Sequence, residues 1–126
     1  MVRRLLLVGA CCLAAAGGAG AAADTPWFAL DEAAIVAAFT GREFTGSDGQ
    51  VQRYPADGSF QRAGRPGAAR GHWRVERDEL CVRQTQPRWA DECFEVQRRG
   101  GQIRLLQDGY VVAQGRLHAI RRMAPR

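Results

Sequence analysis

Residues 71–109 read G-H-W-R-V-E-R-D-E-L-C-V-R-Q-T-Q-P-R-W-A-D-E-C-F-E-V-Q-R-R-G-G-Q-I-R-L-L-Q-D-G. Apolar and polar residues alternate along most of this stretch, which is the period of a half-buried strand. Turn residues recur at short intervals, so the strands are short and antiparallel. Placing Cys81 opposite Cys93 tests that reading. The same register sets Leu80 opposite Phe94 on one face and Arg83 opposite Asp91 on the other, an apolar pair and a charge pair. A turn centred on Arg99-Gly100 extends the pattern, with Phe94 opposite Leu105, Val96 opposite Ile103 and Glu95 opposite Arg104. Asp108-Gly109 is the pair that a type I′ turn prefers, and it sets Leu105 opposite Val112.

Upstream, the period of two begins at Glu43. Strands are predicted over 43–45, 50–54 and 59–62, then over 72–77, 80–84 and 91–97, with a turn at Asp78-Glu79. Pro55-Ala56-Asp57-Gly58 is strong turn chemistry and makes a hairpin in which Tyr54 faces Phe60. Residues 63–71 form a polar Gly/Arg/Pro loop, and residues 85–90 a second loop carrying Trp89. Beyond Asp108-Gly109 one strand runs through Val112. Gly115 bends it or hosts a bulge, and 117–120 supplies a further short strand.

One helix precedes the strands, over 31–39. Asp31 is its N-cap and Glu32 favours its first turn. Leu30 and Ile35 hold the staple positions, while Gly41 marks the stop. Nine residues make a helix too short to stand alone, so it has to lie on the sheet. The expected architecture is mainly β: this helix, then an antiparallel meander of about seven or eight strands curled into a small barrel or half-barrel with one disulfide. Curling removes the sheet edges.

The chain has 126 residues, enough for a single domain. Residues 1–23 read as a signal peptide: Arg3 and Arg4, an apolar run from Leu5 to Ala16, and Ala21-Ala22-Ala23 ahead of Asp24. The mature domain is then 24–126, located in the periplasm. Val8-Gly9-Ala10-Cys11 offers a lipobox-like alternative that would anchor the chain through Cys11. Removing Arg3 and Arg4 takes the net charge from +5 to +3. Every basic residue is arginine, interleaved with acids rather than clustered, which argues against nucleic acid as a partner. No membrane-spanning segment is expected once the signal is removed, and the domain is expected to be a monomer. Two mature cysteines in an exported chain of this size suggest one bridge supplementing a thin core.

The pattern Gly71-x-Trp73-x-Val75, Asp78-x-Leu80-Cys81, Cys93-Phe94-x-Val96-x-Arg98, Gly101 and Asp108-Gly109, with the Tyr54 to Phe60 hairpin, resembles small Gram-negative periplasmic domains of unknown function. The likeness covers most of 30–109. It implies a fold and a compartment and carries no activity. A looser similarity is to the bacterial metalloprotease-inhibitor barrels, from which this chain departs in the closer spacing of its cysteines and in lacking a tryptophan strand after Cys93.

Catalysis finds no parts. There is no G-x-S-x-G, no H-E-x-x-H and no phosphate-cradling glycine loop, and His72 and His118 stand in strand context without a nucleophile nearby. Two cysteines and two scattered histidines also lack metal-ligand spacing. No enzyme, metal or cofactor is expected. A binding or accessory module is the expected class, with an inhibitor-type or small-ligand-binding barrel as the alternative. The arm over 24–29, with Trp27 and Phe28, is expected to pack back onto the domain or else to serve as a docking handle; candidate contacts to an envelope protein partner are Trp27, Trp89 and the basic loop residues Arg62, Arg65 and Arg70.

Overall fold

The computed structural model describes residues 25–120. The signal-peptide reading, the alternative at Cys11, Asp24 and the basic tail from Arg121 lie outside the described residues. In chain order the elements are β1 (Phe28–Ala29), α1 (Glu32–Phe39), β2 (Arg42–Gly46), β3 (Val51–Tyr54), β4 (Ser59–Ala63), β5 (Ala69–Glu76), β6 (Glu79–Gln86), β7 (Glu92–Arg99), β8 (Gln102–Gln107) and β9 (Tyr110–Ala119). Strands β2 to β9 pair antiparallel with their sequence neighbours, and β9 returns to pair with β2. The result is a closed eight-stranded up-and-down barrel, with β1 as a ninth strand added to β7. No helix among the described residues is long and apolar enough to cross a membrane.

Closure depends on glycine at the β2–β9 seam. Gly115 lies opposite Gly46, and a Cβ on it would sit 2.0 Å from the Thr45 carbonyl oxygen. The seam therefore tolerates no side chain at that point. Gly71 plays the same part between β5 and β6, where a Cβ would meet the Arg83 carbonyl oxygen at 2.0 Å, beside a bulge between Arg70 and Gly71.

The inward-facing residues fill the barrel. Tyr54, Phe39, Phe44, Ile35, Leu80, Ile103, Leu105 and Val96 are fully buried. Tyr54 is the hub: its ring meets Phe39 edge-on at 5.0 Å, Phe60 at 5.5 Å and Trp73 edge-on at 5.7 Å. Burial pushes its hydroxyl above the usual tyrosine range, so the group stays neutral and donates to the Gln52 side-chain oxygen. Trp73 donates its indole N–H to the Pro55 carbonyl at 2.9 Å, which ties the β3–β4 turn to β5.

Asp31 caps α1 by accepting the Ala34 N–H at 2.8 Å. Asp78 adds a second cap, accepting the Glu32 N–H at 2.8 Å from the turn between β5 and β6. The helix runs from that turn to the start of β2, where the Gly41 N–H donates to the Tyr54 carbonyl. It thus spans one end of the barrel with Ile35 and Phe39 pointing in. Arg77 and Asp78 both adopt left-handed backbone angles, φ 52° and 58°. Asp78→Ala removes the helix contact and strains that turn further, with an expected cost of about 1–2 kcal/mol, measurable as a lowered melting midpoint.

Several expected registers shift. The β7–β8 turn is Gly100-Gly101, with Arg99 opposite Gln102, one position later than the turn at Arg99-Gly100. Glycine takes the left-handed φ of 56° at position 100 without steric cost. The change moves the pairing by two residues, so each side chain keeps its face: Val96 now meets Leu105, and Arg104 meets Gln97 instead of Glu95. Asp91 pairs with Arg74 on β5 rather than with Arg83, through bonds of 2.6 and 3.0 Å. The β5–β6 turn is Arg77-Asp78 rather than Asp78-Glu79, because Glu79 joins the ladder opposite Glu76. A bulge between Leu105 and Leu106 sets Leu105 opposite Ala113 rather than Val112. Strand β5 starts at Ala69, inside the expected loop.

Candidate functional site

The helix closes one end of the barrel. The other end carries the turns 47–50, 64–68, 87–91 and 108–109. Its mouth holds only about 40 Å³, between Gln52, Arg62, Gln84 and Glu92, with Trp89 lying against it. Trp89 is 62% exposed. Its backbone N–H donates to the Gln84 carbonyl and its indole N–H to Glu92 at 3.1 Å, so the ring is positioned but uncovered.

A wider concavity lies on the outside of the barrel. It is a groove of about 480 Å³ across four strands, β3 to β6, walled by the 64–68 loop and by Pro87. A single cross-strand row forms its polar side. Arg53 stands opposite Gln61, Gln61 opposite Arg70, and Arg70 opposite Gln86. Neighbouring strands are about 4.8 Å apart, so guanidinium and carboxamide groups alternate along a line of closely spaced steps. Val51, Ala63, Ala69 and Pro87 supply apolar surface, and Arg62 completes the lining from the loop side. Among the described residues, no aspartate or glutamate lines the groove.

The arginines are not equivalent. Arg53 donates to Glu43 at 2.8 Å and is compensated. Arg62 gives its Nε–H to the Gly67 carbonyl at 3.2 Å, which holds the loop without neutralising the charge. Arg70 has no ion-pair partner among the described residues, and the Gln61 and Gln86 carboxamides have no hydrogen-bond partner there. Arg65 is exposed and outside the groove lining; its contribution is a carbonyl that accepts the Gln50 side-chain amide at 2.7 Å.

Trp27 is placed differently from Trp89. Its ring meets two guanidiniums, Arg99 at 4.5 Å and Arg104 at 4.4 Å from its centroid, a double cation–π contact. The adjoining Phe28 and Ala29 pair with Arg98 and Gln97 of β7. The arm therefore packs onto the domain, and Phe28, 61% exposed, is its uncovered aromatic.

Cys81 and Cys93 are bridged across β6 and β7. Glu76 lies beside them, but bridged sulfurs are not thiolate ligands, so the trio is no metal centre in this state. Arg74, opposite Cys81, joins Glu76 and Asp91 in a surface cluster. Hydrogen bonds from Arg74 hold both carboxyls below their usual range. A lowered folded-state value gives stabilisation that is present above the ordinary carboxylate range and lost as pH falls through the folded value. The cluster is solvent-exposed, so the term is small. Acidification from about pH 7 to about pH 3 is expected to lower the melting midpoint of the parent more than that of Arg74→Gln.

Comparison with protein-family models, curated proteins and solved structures finds no match. Fold and site together define a class: a small closed antiparallel barrel with a filled interior and an arginine-lined outer groove.

Proposed function

We propose that this chain is an exported, non-catalytic binding module that engages a protein partner through its outer surface. One observation carries the reading. The interior leaves about 40 Å³ at its mouth, while the 480 Å³ concavity is outside and cationic. A barrel that stores a small ligand needs a cavity of roughly 300 Å³ or more, and side chains occupy that space here. The exposed Trp89 and the groove beside Pro87 flank one loop, so a partner could contact both. The Cys81–Cys93 bridge is compatible with an oxidising compartment, which supports the periplasmic reading. The inhibitor-type alternative has less support, because the chain already departs from those barrels in its cysteine spacing and Phe28 and Ala29 of the arm pair with β7 instead of projecting.

The test is a pull-down from periplasmic and envelope extract with the oxidised protein, beside Trp89→Ala and Arg70→Gln copies. The expected result is a species retained by the parent and lost or depleted with either variant. Retention of nothing, or of the same species by all three, contradicts the reading.

A further inference from the structure

The groove's own chemistry indicates what kind of segment it takes. We infer that the row Arg53–Gln61–Arg70–Gln86 is a docking site for an extended acidic segment of the partner protein, an inference that rests on the binding-module reading above. Charge complementarity is the first argument. Among the described residues the groove holds three arginines and no carboxylate. Glu43 offsets only Arg53, so Arg70 presents positive charge that nothing in the lining neutralises, and Arg62 borders the groove from the loop side. A guanidinium pairs best with a planar carboxylate through two parallel hydrogen bonds.

The second argument is the spacing of carboxamides. Gln61 and Gln86 flank Arg70 in the ladder, and neither side chain has a hydrogen-bond partner among the described residues. A carboxamide offers one acceptor and two donors, the groups that pair with the N–H and C=O of an extended backbone. The floor includes the apolar side chains Val51 and Ala63, which leave room for a main chain to approach closely. An enclosed pocket would suit a free small anion; this is an open trough across four strands, β3 to β6.

Selection of a displayed random-peptide library on the immobilised oxidised protein, with counter-selection on Arg70→Gln, tests the inference. Enriched peptides are expected to carry two or more Asp or Glu residues. Their synthetic fluorescein-labelled forms are expected to bind about tenfold or more weakly to Arg70→Gln. Arg98→Gln, on β7 and outside the groove lining, should change binding less than about threefold. Binding should also weaken between about 50 mM and 500 mM salt. Arg70→Gln makes a clean variant because its guanidinium holds no part of the fold, and an unchanged melting midpoint verifies this. Enrichment of neutral or basic peptides, equal binding to Arg70→Gln, or no enrichment overturns the inference. So does complete displacement by inorganic phosphate at the peptide's own concentration, which would make the groove a small-anion site. If selection fails while capture from extract still depends on Trp89, the groove assignment falls and the binding-module reading stands.

Discussion

Gly115→Ala is expected to cost about 3 kcal/mol or more and to lower the melting midpoint by on the order of 15 °C. The added methyl would lie 2.0 Å from the Thr45 carbonyl oxygen, 2.7 Å from its carbon and 2.8 Å from the Gly46 Cα. All three are backbone atoms of β2, so no rotamer change relieves the overlap. Either the seam between β2 and β9 opens or both strands move apart and lose hydrogen bonds at five paired positions from Arg42–Ala119 to Gly46–Gly115. Gly109→Ala is the control. Its φ is +81° but nothing lies within 4 Å of the new atom, so only backbone strain of about 1 kcal/mol applies. Thermal unfolding followed by circular dichroism compares the two. Equal small losses would mean that the seam is not as close as described.

Removing the disulfide is the second large effect. Cys81→Ala with Cys93→Ala, or reduction of the parent, is expected to cost about 2–4 kcal/mol. Part of this is chain entropy, since the bridge closes a loop of 12 residues' separation. The rest is local. Strands β6 and β7 share only three paired positions, Leu80–Phe94, Cys81–Cys93 and Val82–Glu92, and the bridge is the middle one. Past Phe94, β7 leaves β6 and pairs with β1 at Gln97 and Arg98. The bridge thus staples a short ladder of the wall. Alanine is the better replacement, because Cys81 is fully buried and a serine hydroxyl there would be left unsatisfied. Urea midpoints of the parent with and without reductant read the effect, and coincident midpoints would contradict it.

Much of the barrel was legible because period-two patterning and turn chemistry agree. Cys81 opposite Cys93 and Leu80 opposite Phe94 were readable from the cysteines alone, and Tyr54 against Phe60 from Pro55-Ala56-Asp57-Gly58. The β7–β8 register was misread by two because Arg99-Gly100 and Gly100-Gly101 are both plausible turns, and a shift of two leaves the inward set of residues unchanged. Within one hairpin the expected partner of Asp91 is Arg83. Arg74 reaches Asp91 from the neighbouring strand, which a pairwise reading cannot see.

The groove was half legible. Arg62 and Arg70 were read as part of a basic loop, but Ala69 and Arg70 belong to β5. That one difference sets Arg70 opposite Gln61 and turns loop charges into an ordered row. Arg53 is legible in the same way, because the Tyr54–Phe60 hairpin sets it opposite Gln61 on the outer face. Trp27 was readable as packed or projecting. Its two arginine neighbours come from β7 and β8, far along the chain, and only the tertiary arrangement brings them together.

Placing the binding surface outside depends on the barrel being closed and filled. Amide hydrogen exchange of the oxidised protein measures that directly at the β2–β9 seam. The predicted result is protection of the Phe44 and Leu117 region comparable to that of β5–β6, with both sets exchanging through global unfolding. Rapid exchange confined to the seam would mean an open sheet with an accessible cleft, and the case for binding on the outer surface would fail.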